Sequence, residues 1–185
     1  FFICTTDNWA DEDQPLYASH PLTVPNAFTT GLEGPACDAS GNVFVVTFQK
    51  QGTIGLISAE GPGEVFARLT PDRVGNGIRF DRQGTMYVAD YVNHNVLRID
   101  PDSRKITVFA HDDRMNQPND LAIDAEGVLY ASDPNWSKQT GQLWQIDRQG
   151  NTTRLNTEMG TTNGIEVSPD GKTLYVNESV QRNVW

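Results

Sequence analysis

The chain is poor in the residues that carry soft-metal, redox and nucleophilic chemistry. In 185 residues it has two cysteines, three histidines and three methionines. His20, His94 and His111 show no zinc-type spacing. Cys4 and Cys37 could pair in an oxidising compartment. Cys37 sits in an apolar run, so a buried place is expected for it. Basic residues are few, 14 against 24 acidic, for a net charge of −10. That balance argues against a nucleic-acid partner, whose binding is dominated by phosphate neutralisation. No apolar run approaches the length of a membrane span. There is no Gly-x-Ser-x-Gly nucleophile elbow and no Gly-x-x-x-x-Gly-Lys phosphate loop. Helical periodicity is also missing. Residues 68–73 offer a helical turn at most.

A repeat fills the chain instead. Four tight turns read Asp38-Ala-Ser-Gly41, Asp81-Arg-Gln-Gly84, Asp124-Ala-Glu-Gly127 and Ser168-Pro-Asp-Gly171, spaced 43, 43 and 44 residues apart. A short apolar run precedes each turn: 35–37, 78–80, 121–123 and 165–167. A run rich in aromatic and β-branched residues follows it: 43–46, 86–89, 128–131 and 173–176. Such pairs are hairpin strands. Three of the repeats add two weaker runs, at 54–57 and 64–67, 96–99 and 106–110, and 143–146 and 152–155. Four strands in about 43 residues is one blade of a β-propeller, so the fold class is all-β. Blades begin near 31, 74, 117 and 161, and residues 1–30 form a lead.

A propeller must close to hide its edges. Six blades need roughly 290 residues, so the chain reads as part of a longer protein, with a fourth blade reaching the start of its third strand at Trp185. Leu22-Thr23-Val24 lies where an outermost closing strand is expected, with plain loop as the alternative. Sequons occur at Asn135, Asn151 and Asn177 and matter only in a glycosylating host.

The residue five places before each turn is Glu33, Asn76, Asn119 and Asn163 in order. In-phase positions bring one oxygen-bearing side chain per blade to the channel mouth. Asn76-Gly77 and Asn163-Gly164 also read as turn dipeptides, because Asn tolerates left-handed backbone. Glu33 departs from that reading, and Asn119 is followed by Asp. One carboxylate among neutral amide oxygens is a hard-cation ligand set, suited to calcium or magnesium. Nine places after each turn's first residue stand Thr47, Asp90, Asp133 and Asn177. They are expected as a second polar ring beside the first. Trp136 is expected near the same mouth, as a flat wall for a substrate or as a capped loop residue.

These residues resemble the SMP-30/gluconolactonase family, six-bladed propellers that hydrolyse lactones or related esters. Gly31-Leu-Glu-Gly-Pro35 before Asp-Ala-Ser-Gly is similar to that family's opening motif. Pro118-Asn-Asp-Leu121 before Asp-Ala-Glu-Gly resembles its Asn-Asp motif, and Thr162-Asn-Gly-Ile165 before Ser-Pro-Asp-Gly its next Asn motif. Tyr130-Ala-Ser-Asp-Pro134 is similar to a loop of bacterial gluconolactonases. The resemblance covers about residues 31–185. It implies a metal site of Glu33, Asn119 and Asn163, usually for calcium, with magnesium, manganese or zinc as other divalent candidates. It implies substrate contacts from Asn119, Asp133, Trp136 and Asn76, with Asp120 as a supporting carboxylate behind the metal site. The implied reaction is metal-assisted hydrolysis of a small lactone. The family's last metal-binding Asp is expected one repeat after Asn163, past Trp185. An Arg that binds sugar acids in some relatives is Gln117 here. A rival resemblance exists: the stretch from Val88 to Val96 looks like an NHL repeat, whose propellers are mainly binding scaffolds. There the in-phase Asn residues are turn formers.

Overall fold

The computed structural model describes residues 20–58 and 62–185. Among the described residues there are fifteen strands and no helix. The first sheet holds β1 (Ala36–Cys37), β2 (Val43–Val46), β3 (Thr53–Ile57) and β4 (Glu64–Arg68). The second holds β5 (Gly75–Phe80), β6 (Met86–Asp90), β7 (Asn95–Ile99) and β8 (Ile106–His111). The third holds β9 (Leu121–Ile123), β10 (Leu129–Asn135), β11 (Thr140–Ile146) and β12 (Thr152–Met159). The fourth holds β13 (Thr162–Val167), β14 (Leu174–Glu178) and β15 (Asn183–Val184). Strands run antiparallel in chain order within each sheet. The innermost strands touch in succession: β1 meets β5, β5 meets β9, and β9 meets β13. This is the arrangement of four propeller blades.

The turns owe their shape to a short polar side chain and a glycine. Asp81 Oδ1 accepts the N–H groups of Gln83 and Thr85 at 2.9 and 2.8 Å. Asp38 and Asp124 repeat the pattern. In the fourth turn Ser168 Oγ accepts the N–H of Thr173. Gly41, Gly84, Gly127 and Gly171 close these turns at φ of +82°, +83°, +83° and +70°, where only glycine is free of strain.

The apolar cores lie between sheets. Phe44, Val46 and Ile54 of the first sheet meet Ile78, Val88 and Leu97 of the second. Ala89 and Val96 meet Leu121, Leu129 and Trp144 across the next seam. Ala122 and Leu143 meet Ile165 and Val176 across the third. Phe44 packs edge-on against Phe66 and Phe80, with ring centroids 5.0 and 5.1 Å apart. Each fully buried side chain of this size contributes about 1.5–3 kcal/mol, so each seam is held chiefly by hydrophobic burial.

One expectation, the buried place of Cys37, needs correction. Cys37 is exposed, because Ala36 takes the inward place on β1 and its strand neighbour points the other way. Asn76-Gly77 and Asn163-Gly164 are not turns; they lie inside β5 and β13, and none of the four residues has positive φ. Leu22-Thr23-Val24 forms a bend with Leu22 and Val24 exposed, and Phe28 bridges Phe48. Cys4 lies outside the described residues.

Candidate functional site

The in-phase residues converge. Asn76 stands in β5 and Asn163 in β13, while Asn119 lies two residues before β9 and Glu33 three residues before β1. All four line one cavity of about 220 Å³, together with Gly34, Pro35, Gly77, Arg79 and Asp120. A larger hollow of about 840 Å³ lies among the Asp-x-x-Gly turns at the other end of the strands, and none of the four reaches it. We place the candidate site in the smaller cavity, because that is where the repeat delivers its in-phase oxygens.

The ring side chains keep those oxygens available. Asn163 donates its Nδ2–H to Ser179 Oγ at 2.9 Å, which leaves Oδ1 open. The side chains of Glu33, Asn76 and Asn119 form no hydrogen bond with any other described residue. No cluster of three His, Cys, Asp or Glu side chains suited to a metal occurs among the described residues. The ring therefore offers one carboxylate and up to three amide oxygens, a donor set that fits a hard cation.

Close backbone approach sets the ring's diameter. Gly77 donates its N–H to the Asn119 carbonyl at 2.7 Å. A Cβ on Gly34 would fall on the Asn76 carbonyl oxygen. The glycines after Glu33 and Asn76 are thus there for proximity between blades.

Asp120 anchors the floor of the cavity. Its Oδ1 accepts the N–H of Leu121 at 2.8 Å and its Oδ2 the N–H of Ile165 in the next sheet at 3.2 Å. Arg79 pairs with it at 3.3 Å and reaches Glu166 at 3.7 Å. Three sheets are tied together immediately behind the ring. Arg79 is absent from the sequence-based candidates, although its place two residues before the turn holds Ala36 and Ala122 in the neighbouring repeats.

Asp133 and Trp136 do not line this cavity. Asp133 is fully buried. Its carboxylate accepts the N–H groups of Asn116 and Gln117 at 2.8 and 2.6 Å, Gln142 Nε2–H at 2.7 Å and Trp144 Nε1–H at 2.9 Å. Burial pushes its carboxyl above the ordinary carboxylate range, and those N–H donors pull the other way. Trp136 is half-buried, with its backbone N–H directed at Gln117 Oε1. Three of the four residues of the expected second polar ring are buried. Asp90 is buried and accepts Asn95 Nδ2–H, Thr47 is buried, and Asn177 is exposed. In the fourth sheet the buried carboxylate is Glu178, which accepts the Gly160 N–H and Asn183 Nδ2–H. For Asp133 and Glu178 the physical reason is backbone demand: the segments entering the inner strands carry N–H groups that need buried acceptors, whereas Asp90 is met by side-chain donors of Asn93, Asn95 and Arg73.

Known proteins are similar to this chain in sequence and in fold. A gluconolactonase of Zymomonas mobilis subsp. mobilis is 25% identical over 212 aligned positions, covering 94% of this chain and 56% of the relative. A gluconolactonase structure from Xanthomonas campestris superposes with a TM-score of 0.73 at 20% identity, over 86% of this chain and 58% of that one. Regucalcin of Agrobacterium tumefaciens, described as a calcium-binding protein, gives 0.68 at 22% identity, over 83% and 52%. The chain thus spans little more than half the length of these proteins. The two structural likenesses show the propeller fold. The family described as SMP-30/Gluconolactonase/LRE-like region matches residues 33–185, and the chain belongs to that family.

Proposed function

We propose that the protein hydrolyses a small sugar lactone at the channel mouth, in the manner of a gluconolactonase, with a divalent cation held by Glu33, Asn119 and Asn163. The observation that carries this reading is the cavity shared by four in-phase side chains whose oxygens are left open. Family membership and the Zymomonas relative support it. The calcium-binding description of the Agrobacterium neighbour supports calcium as the first cation to test. When bound, such a cation supplies Lewis acidity to a lactone carbonyl.

The chain's own residues have separable tasks in this reading. Glu33 provides the one anionic oxygen. Asn119 and Asn163 add neutral oxygens, so these two ligands leave the cation's charge uncompensated. Asn76, on the same cavity, is placed to hydrogen-bond a ring hydroxyl of the sugar. Asp120 keeps the Asn119 strand and the Asn163 strand in register through its bonds to Leu121 and Ile165. Asp133 holds the segment leading to Asn119 from behind. The carboxylate that activates water is expected one repeat beyond Asn163.

The test is hydrolysis of glucono-δ-lactone by the complete protein, with and without a chelator and added calcium. Glu33→Gln keeps the shape of the side chain and removes its charge. It is expected to abolish calcium-dependent turnover while the circular dichroism of the folded protein is unchanged. Full activity in that variant would remove Glu33 from the reaction.

A further inference from the structure

Buried hydroxyls need a reason, because an unpaired one is costly. The position eight residues after each turn's first residue is Val46, Ala89, Ser132 and Val176. Three of these are apolar and sit in the seams. Ser132 is the exception, and it is fully buried.

Its surroundings account for it. Across the second seam the contact between ring segments is direct: Gly77 N–H to Asn119 carbonyl, 2.7 Å. The equivalent contact across the third seam is Asp120 N–H to the Asn163 carbonyl, and it is not direct. Asp120 N–H donates to Ser132 Oγ at 3.0 Å, and the Ser132 hydroxyl donates in turn to the Asn163 carbonyl. Ser132 also exchanges backbone bonds with Asn119 and with Asp120 next to it. Asn119 N–H donates to the Ser132 carbonyl at 2.9 Å, and Ser132 N–H to the Asp120 carbonyl at 3.0 Å. Gly77 has no side chain, so its backbone can close on the next strand. Asp120 has one, and a single hydroxyl fills the gap it leaves.

We infer that Ser132 is a positioning residue: its hydroxyl is a spacer one atom thick that sets the separation of Asn119 and Asn163. The inference rests on the proposal that those two residues share a cation. The ring is therefore not uniform. It is tight between Asn76 and Asn119 and opened by one hydroxyl between Asn119 and Asn163, the two that belong to the cation.

Calorimetric titration of calcium alone into the wild type and four variants tests this. Ser132→Thr keeps the hydroxyl, Ser132→Val has the same shape without it, and Ser132→Ala removes it without adding bulk. Glu33→Gln reports on the cation site itself. The expected result is Glu33-dependent binding in the wild type, retained in Ser132→Thr and weakened by about 10–100-fold in Ser132→Val and Ser132→Ala, as for groups that orient metal ligands. Rescue by Thr separates the hydroxyl's effect from bulk and folding, and thermal melts of the Thr and Val variants check the latter. Binding in Ser132→Ala equal to wild type, with Glu33→Gln still deficient, overturns the spacer alone. Calcium binding that ignores Glu33→Gln overturns the cation site and the spacer together.

Discussion

Gly77 and Asn119 meet backbone to backbone across the second seam, N–H to carbonyl at 2.7 Å. The contact exists because residue 77 has no Cβ. One added there would lie 2.6 Å from Asp120 Oδ1 and 2.7 Å from Asp120 Cα. The latter atom is backbone and cannot swing aside. Gly77→Ala is therefore expected to cost about 1–3 kcal/mol, the usual range for forced overpacking. Gly84→Ala is the comparison, since nothing lies within 4 Å of a Cβ there and only its φ of +83° is strained. It is expected to cost about 1 kcal/mol. Urea unfolding of both decides; a larger loss in Gly84→Ala would count against the seam argument.

Asp133 faces donors on every side. Asn in its place has a single oxygen and presents an N–H₂ to other N–H groups. Asp133→Asn is expected to lose about 3 kcal/mol or more, because several buried donors are left unpaired at about 1–3 kcal/mol each. The loss should appear in urea unfolding without any lactone present. A variant as stable as wild type, but unable to bind substrate, would return Asp133 to the list of direct contacts.

Two of the other substrate candidates, Asn76 and Trp136, can be separated by kinetics. Asn76 lines the cavity and Trp136 does not. Asn76→Ala is expected to raise KM for glucono-δ-lactone about tenfold, the worth of one hydrogen bond. Trp136→Ala should leave KM unchanged. The reverse pattern would move substrate binding to the 135–140 loop.

Asp112 gives a pH dependence. The Arg114 guanidinium beside it, bonded at 2.8 and 2.6 Å, holds its carboxyl far below its ordinary 3.8, against the opposing effect of burial. The Arg114 backbone N–H and the Thr152 hydroxyl add to the lowering. A depressed acid stabilises the fold above its unfolded pKa, and the contribution drains away as pH falls through the folded value. Asp112→Asn should thus melt earlier than wild type at neutral pH, and the gap should shrink once pH drops below about 4. Melting curves at neutral pH and near pH 3 check this, and a constant gap would mean that the ion pair contributes nothing.

Much of this molecule is legible in its sequence. The apolar runs predict β2 at Val43–Val46 and β9 at Leu121–Ile123 with the bounds they have. The Asp-x-x-Gly turns are local devices, with side chain, glycine and N–H donors within six residues, so pattern alone finds them. The phase of Glu33, Asn76, Asn119 and Asn163 likewise leads to one cavity. What escapes is anything whose partner comes from the next repeat. Ser132 looks like an unremarkable strand residue until Asn163 is beside it. Arg79 looks like a surface residue until Asp120 and Glu166 face it. Asp133 shares a phase with Asp90, but phase does not say whether a residue points into the channel or into the wall. Bulges between Gly75 and Ile78, and between Thr162 and Ile165, break simple alternation where the ring residues enter. The Asn-Gly pairs are ambiguous when read singly for a related reason: the same dipeptide serves a turn or a close approach, and only the neighbouring blade distinguishes them.

Because the apolar clusters among the described residues lie between sheets, no sheet is finished by itself. On the ribosome, the first sheet emerges with one greasy face bare, and its cover is the sheet still being made. At about 5–20 residues per second that cover arrives seconds later. Until then the waiting face is open to any other strand in the cell, so the order of synthesis is also the order of risk.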